Sequence, residues 1–167
     1  MSWWLAKEHC KKNGGKLVEI DLEEENRALV EEIKRNRFTE RHMNFWIGLT
    51  DLRKEGDWRL ASDASQPSYL NWDSDNRQPN NGNDPNEDCA RLRMGRPEWQ
   101  NKWSDLKCGI DRFKNSKYPA TITLPALCEF EDLTSTTSIT STTSAISKTS
   151  TTINTTSTSN LTSTEGV

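Results

Sequence analysis

No stretch of this chain approaches the roughly 18 to 20 consecutive apolar residues that a helix needs to cross a bilayer, so no membrane-spanning segment is expected in it. It opens Met1-Ser2-Trp3-Trp4 and enters a helical pattern at once, without the basic and then apolar leader of a secretory signal. The expectation is a piece of a longer product, with its leader and any anchor outside this sequence. Histidine is scarce. Only His9 and His42 occur, both in or near the helical first part, and no Ser-His-Asp, Cys-His or His-Glu-X-X-His arrangement is visible, which speaks against an enzyme. There is no Cys-X-X-Cys pair, which excludes a zinc knuckle and a thioredoxin-like motif. Arg91, Arg93 and Arg96 form a small basic cluster, but the net charge is −3, so no nucleic-acid footprint is read from it and a solvated strand face is expected.

What is present divides the 167 residues in two. From Leu133 to Val167, 23 of 35 residues are Ser or Thr, and only Lys148 and Glu165 carry charge. Such a segment cannot bury enough apolar surface to offset its ordering entropy, so residues 133–167 are expected to be disordered. All seven Trp and all four Cys precede it, which places one folded domain at 1–132. The cysteines, Cys10, Cys89, Cys108 and Cys128, are even in number and read as two disulfides formed in an oxidising compartment. The tail holds the two Asn-X-Ser/Thr sequons, at Asn154 and Asn160, and many O-glycan acceptors. An extracellular location follows, secreted or at a cell surface, with the tail as a glycosylated mucin-like stalk or a plain linker.

Within the domain, Trp3, Ala6 and Cys10 share one face of a helix spanning 2–12, which Gly14-Gly15 ends. Asp21 with Glu24 three positions on forms a capping-box pattern that opens a second helix, reaching Arg35, with Leu22, Leu29, Val30 and Ile33 as its apolar stripe. Glu23-Glu24-Glu25 reads as its solvated first turn. Short strands are then expected at 45–49, 58–60, 89–93, 99–103 and 127–130. Between Leu60 and Cys89 lies a long stretch rich in Asn, Asp, Ser, Gly and Pro, pegged by Tyr69, Leu70 and Trp72. A loop of that length in a compact domain is usually functional or disordered, and the aromatic pegs favour function. The fold class is α+β: two helices, small antiparallel sheets and a large irregular loop region.

Gln78-Pro79-Asn80, Asn86-Glu87-Asp88-Cys89 and Trp103-Ser104-Asp105 gather side-chain oxygens within about thirty positions, as a loop-built site for a hard cation requires. Adjacent carboxylates such as Glu87 and Asp88 could serve glycosidase-like acid–base chemistry, but in this setting they are better explained as ligands. Taken in order, Trp46-Ile47-Gly48-Leu49, Glu55-Gly56-Asp57-Trp58, Asn71-Trp72, Gln78-Pro79-Asn80, Glu87-Asp88-Cys89, Trp103-Ser104-Asp105, Cys108 and Ala126-Leu127-Cys128-Glu129 resemble the C-type lectin domain over residues 2–131.

That resemblance implies pairings of Cys10 with Cys128 and of Cys89 with Cys108. It implies a Ca²⁺ ion held by Gln78, Asn80, Glu87, Ser104 and Asp105, with sugar hydroxyls completing the shell, and a cis peptide bond before Pro79. An auxiliary ion site would use Asp51, Glu55, Asn81, Glu87 and Asp88. Trp46, Trp58, Trp72 and Trp103 fall at core positions, and Trp99 near the site loops. The implied partners are glycans or glycoproteins, bound weakly one site at a time and more strongly through clustering into oligomers.

Departures from the family pattern carry their own expectations. The triplet Gln-Pro-Asn mixes the mannose-associated Glu-Pro-Asn with the galactose-associated Gln-Pro-Asp, so the donor order is undecided and both sugar types stay open. Ser104 stands where Asn is usual, and the ligand set carries two carboxylates rather than three, which predicts weaker calcium binding. The family's first strand, ahead of the first helix, is not found, and Asn115-Ser116-Lys117-Tyr118-Pro119 reads as an inserted loop. Ser104, the hybrid triplet and the missing strand lend weight to a rival expectation, a calcium-independent domain that recognises a protein surface.

Overall fold

The computed structural model describes residues 1–36, 43–81, 86–94, 101–109 and 123–130. The expectations for His42, Arg96, Trp99, the 115–119 insertion and the tail with Asn154 and Asn160 lie outside the described residues, as does the domain boundary near residue 132.

Helix α1 runs Trp3–Lys12, and the Ser2 hydroxyl caps it by accepting from the Leu5 N–H at 3.4 Å. It buries Trp3, Ala6 and Cys10, the face expected from their spacing. Trp3 Nε1 donates to the Ile47 carbonyl at 2.9 Å, so the indole enters the core with its one polar atom satisfied. Strand β1, Lys16–Leu17, follows, and helix α2 covers Glu23–Arg35. The capping box is displaced by one residue: the backbone N–H of Asp21 donates to Glu25 Oε2 rather than to Glu24, and Leu22 becomes the cap. Leu22 is thereby exposed and leaves the expected stripe, which is carried by Asn26, Leu29, Val30 and Ile33.

The remaining strands are β2 (Asn44–Thr50), β3 (Arg59–Leu60), β4 (Cys89–Arg93), β5 (Lys102–Leu106) and β6 (Cys128–Glu129). A four-stranded antiparallel sheet has the order β3-β2-β4-β5, and β1 pairs with β6 in a two-stranded sheet. The strand expected at 99–103 is β5 and runs to Leu106, so Ser104 and Asp105 belong to the ladder; residues 99 and 100 lie outside the described set. β1 was not expected from the sequence, being only two residues long. It is placed by close approach: a Cβ on Gly15 would stand 2.3 Å from the Glu129 carbonyl oxygen, and one on Gly48 2.8 Å from that of Leu17. Both positions require glycine because backbones meet there.

Two apolar clusters flank the central strand. One joins α2 to the sheet through Leu29, Val30, Ile33, Phe45, Ile47, Leu92 and Trp103; the other joins α1 to Trp46 and all four cysteines. The disulfides are Cys10–Cys128 and Cys89–Cys108, as the family pattern implied. The first ties α1 to β6 across 118 positions, and the second links β4 to the residues just after β5. Trp46, Trp58 and Trp103 are buried, and Trp72 is half-buried against the core.

Arg91 and Arg93, of the basic cluster, do not form a solvated face. Arg93 Nη1 donates to Asp73 Oδ2 at 2.7 Å, and Arg91 Nε donates to Ser104 Oγ at 2.8 Å. Each guanidinium is drawn inward because the loop and the neighbouring strand offer it an acceptor.

Candidate functional site

The long loop reaches the sheet through a splice of backbone hydrogen bonds. Trp103 N–H donates to the Asn71 carbonyl and Asp73 N–H to the Trp103 carbonyl, both at 2.9 Å, so Asn71–Asp73 runs parallel to β5. Trp72 meets Trp58 edge-on at 4.6 Å and Trp103 at 6.1 Å, and Tyr69 meets Trp103 at 5.5 Å, which fixes the splice to the core. Asp73 then organises the turn. It is buried, its carboxylate accepts from Asn76 Nδ2 at 2.8 Å and from Arg93, and its carbonyl accepts from the N–H groups of Asn76 and Gln78. The 3₁₀ turn Ser74–Asn76 ends at Arg77 in the left-handed region, with φ 56°, and the chain enters the cis Gln78-Pro79 bond. Sequence reasoning overlooked Asp73. Its signal was an Asp three positions ahead of Asn76, a local capping pattern inside the loop.

This path brings the triplet against β5. Asp105 Oδ2 accepts from the N–H groups of Asn80 at 2.8 Å and Asn81 at 2.6 Å, and the Asp105 N–H donates to Gln78 Oε1 at 3.2 Å. Asp105 is 3% exposed, and its Oδ1 has no hydrogen-bond partner. Asn80 is exposed and gives its side-chain amide to the Asn76 carbonyl at 3.2 Å. Ser104 is fully buried with its hydroxyl accepting from Arg91. Glu87 is half-buried, and the Arg91 guanidinium feels the charges of both Glu87 and Asp105.

A second group forms where β2 ends. Asp51 N–H and Thr50 Oγ1 both donate to the Asp88 carbonyl, at 3.2 and 2.6 Å, which sets Asp51 beside Asp88. Asp51 Oδ2 accepts from the Gly56 N–H at 2.9 Å, while Oδ1 is buried without a partner. Burial, and then the charges of Glu55 and Asp88, push the Asp51 carboxyl up to about 6 despite the Gly56 hydrogen bond. Asn81, at φ 57°, donates its amide to Glu55 Oε1 at 2.7 Å and so links this group to the first.

Do these residues suit a calcium ion? The two orphaned oxygens, Asp105 Oδ1 and Asp51 Oδ1, are what a hard cation would satisfy, since a buried carboxylate oxygen without a donor is costly. Around Asp105 the amide oxygens of Gln78 and Asn80 are neutral donors of the right kind. Among the described residues, however, no three Asp, Glu, His or Cys side chains converge as a ready metal cage. The donor set fits calcium in kind and is poor in charge.

The chain matches the family model for the lectin C-type domain over residues 1–113. It is 37% identical over 114 residues to a perlucin-like protein of Mytilus galloprovincialis, covering 66% of this chain and 65% of that protein. It is 31% identical over 115 residues to salivary C-type lectin 1 of Aedes albopictus, covering 66% of this chain and 72% of that one. The chain therefore spans just under two thirds of the mussel relative's length. Among solved structures, the mouse scavenger receptor C-type lectin carbohydrate-recognition domain superposes with a TM-score of 0.52 at 32% identity, over 64% of this chain and 74% of that one. The motif order, the two disulfides, the sheet and the aromatic-pegged loop converge with these matches on one conclusion: the chain belongs to the C-type lectin domain family, whose members are in general carbohydrate-binding and not enzymes.

Proposed function

We propose that this domain binds a glycan through a calcium ion held at the head of the long loop by Gln78, Asn80, Glu87, Asp105 and the remaining lone pair of Ser104. The observation that carries the reading is Asp105: a buried carboxylate in a strand, with one oxygen pinned by the backbone N–H groups of Asn80, the last residue of the triplet, and of Asn81 after it, and the other left without a donor. An ion at that oxygen would satisfy it and offer vacant coordination positions to two sugar hydroxyls, which calcium's six to eight ligands allow. Asp51, Glu55, Asn81, Glu87 and Asp88 would hold an auxiliary ion that stiffens the loop, a reading supported by the orphaned oxygen of Asp51 and by the Asn81–Glu55 hydrogen bond. The solved relative described as a carbohydrate-recognition domain agrees with this assignment. The two disulfides and the salivary relative agree with an extracellular setting.

The sugar is of mannose or galactose type, and the hybrid triplet makes the choice an experimental one. Retention of the purified chain on immobilised mannose and galactose, in calcium and after chelation, tests the reading. Retention that chelator abolishes is the expected result. Gln78→Glu, which restores a Glu-Pro-Asn triplet, is expected to raise calcium affinity and favour mannose. A folded chain retained on neither sugar would overturn the assignment.

A second reading, calcium-independent recognition of a protein partner, draws on the absence of a three-carboxylate cluster among the described residues and on the engagement of Ser104 by Arg91. It expects binding that survives chelation.

A further inference from the structure

Arg91 stands at the site but belongs to none of the sequence motifs that define it. It lies in the middle of β4, directly opposite Ser104 in the ladder with β5, and its Nε donates to the Ser104 hydroxyl at 2.8 Å. The charges that act on its guanidinium are Arg93 on its own strand, which repels it, and Glu87 and Asp105, which attract it. Those two carboxylates are the only charged members of the calcium shell described above. Arg93 does not share the task, because its own guanidinium is taken by the buried Asp73. A fixed positive charge therefore stands among the groups that would receive a divalent cation, held in place by one of them.

We propose that Arg91 is a built-in counter-cation of the loop site: it partly neutralises Glu87 and Asp105 when no ion is bound, and it weakens calcium binding by the repulsion it exerts when one is. The inference rests on the calcium reading given under Proposed function. Arginine suits the role because its charge cannot be lost and its planar fork is oriented by a single well-placed acceptor, here Ser104. A domain so built keeps its loop carboxylates compensated at low calcium and fills only where the ion is abundant.

The test is calcium titration of the full chain by calorimetry, alongside Arg91→Gln, Arg91→Met and Arg91→Lys. The glutamine variant removes the charge but keeps an N–H donor for Ser104; the methionine variant removes both; the lysine variant keeps the charge. Both neutral variants are expected to bind calcium about tenfold more tightly than the parent, since affinity in such sites follows the charge balance around the ion. The lysine variant is expected to stay within about threefold of the parent. The neutral variants should also gain more in melting temperature on adding calcium. If Arg91→Gln folds and binds calcium no more tightly than the parent, the counter-cation role is overturned while the site stands. If neither the parent nor any variant gives a calcium signal that Asp105→Asn removes, the site reading itself fails.

Discussion

Two sets of buried carboxylates in this domain are treated oppositely: Glu19 in the scaffold and Asp73 in the loop are fully paired, whereas Asp51 and Asp105 are not. In the scaffold, Glu19 is 4% exposed and closed on all sides: Oε1 accepts from the Ser62 N–H at 2.7 Å, and Oε2 from the Ser62 hydroxyl at 2.8 Å and from Lys16 Nζ at 2.6 Å. In the loop region, Asp51 and Asp105 are as deeply buried, yet each keeps one oxygen without a donor. Glu19 ties β1 to the start of the loop and serves stability. Asp51 and Asp105 each carry the cost of one oxygen without a donor, a cost that folded domains tolerate at binding sites.

Removing the scaffold's covalent tie gives the largest effect expected. Cys10→Ser with Cys128→Ser frees a crosslink spanning 118 positions, which by the chain-entropy model lowers unfolding free energy by about 4 to 5 kcal/mol. Urea denaturation would measure it, and calcium affinity of the molecules that remain folded should be little changed. Next, Asp105→Asn should reduce calcium affinity by about a hundredfold, roughly 2.7 kcal/mol, while the melting temperature in chelator stays close to that of the parent. If Asp105 were closed like Glu19, the same substitution would instead destabilise the apo domain.

Glu19→Gln should lower stability by about 2 kcal/mol, because it leaves Lys16 and Ser62 with a weaker acceptor, and should leave calcium titration unaltered. The smallest effect has the opposite sign. Asp51→Asn should raise the stability of the calcium-free domain at neutral pH by about 1 kcal/mol, since it removes a buried charge. The pH dependence follows from the raised carboxyl of Asp51. Its favourable protonated form is fully present below the ordinary aspartate value of 3.8 and is lost as pH rises through about 6. The gain from Asp51→Asn should therefore vanish near pH 4 and be complete above pH 6, as denaturation at the two extremes would show.

What the sequence made legible follows physical range. Helix α1 was readable from Trp3, Ala6 and Cys10 because helical periodicity is local, and the disulfides followed from the family pattern. The capping of α2 was missed by one residue, since Glu24 and Glu25 are equivalent in sequence and only the entry angle of the chain selects Glu25. β1 was invisible because its two residues pair with β6, more than a hundred positions away. At the candidate site, the turning of Arg91 and Arg93 inward could not be foreseen, since their acceptors, Ser104 and Asp73, come from other elements.

The splice of Asn71–Asp73 onto β5 has a consequence for how this surface can vary. Because the register of the triplet is set downstream, at Trp72 against Trp103 and at Asp73 against Arg93, the exposed run around Gln66 and Ser68 acts as slack ahead of a clutch. Residues can be inserted or exchanged there while Gln78, Asn80 and Asp105 keep their mutual distances.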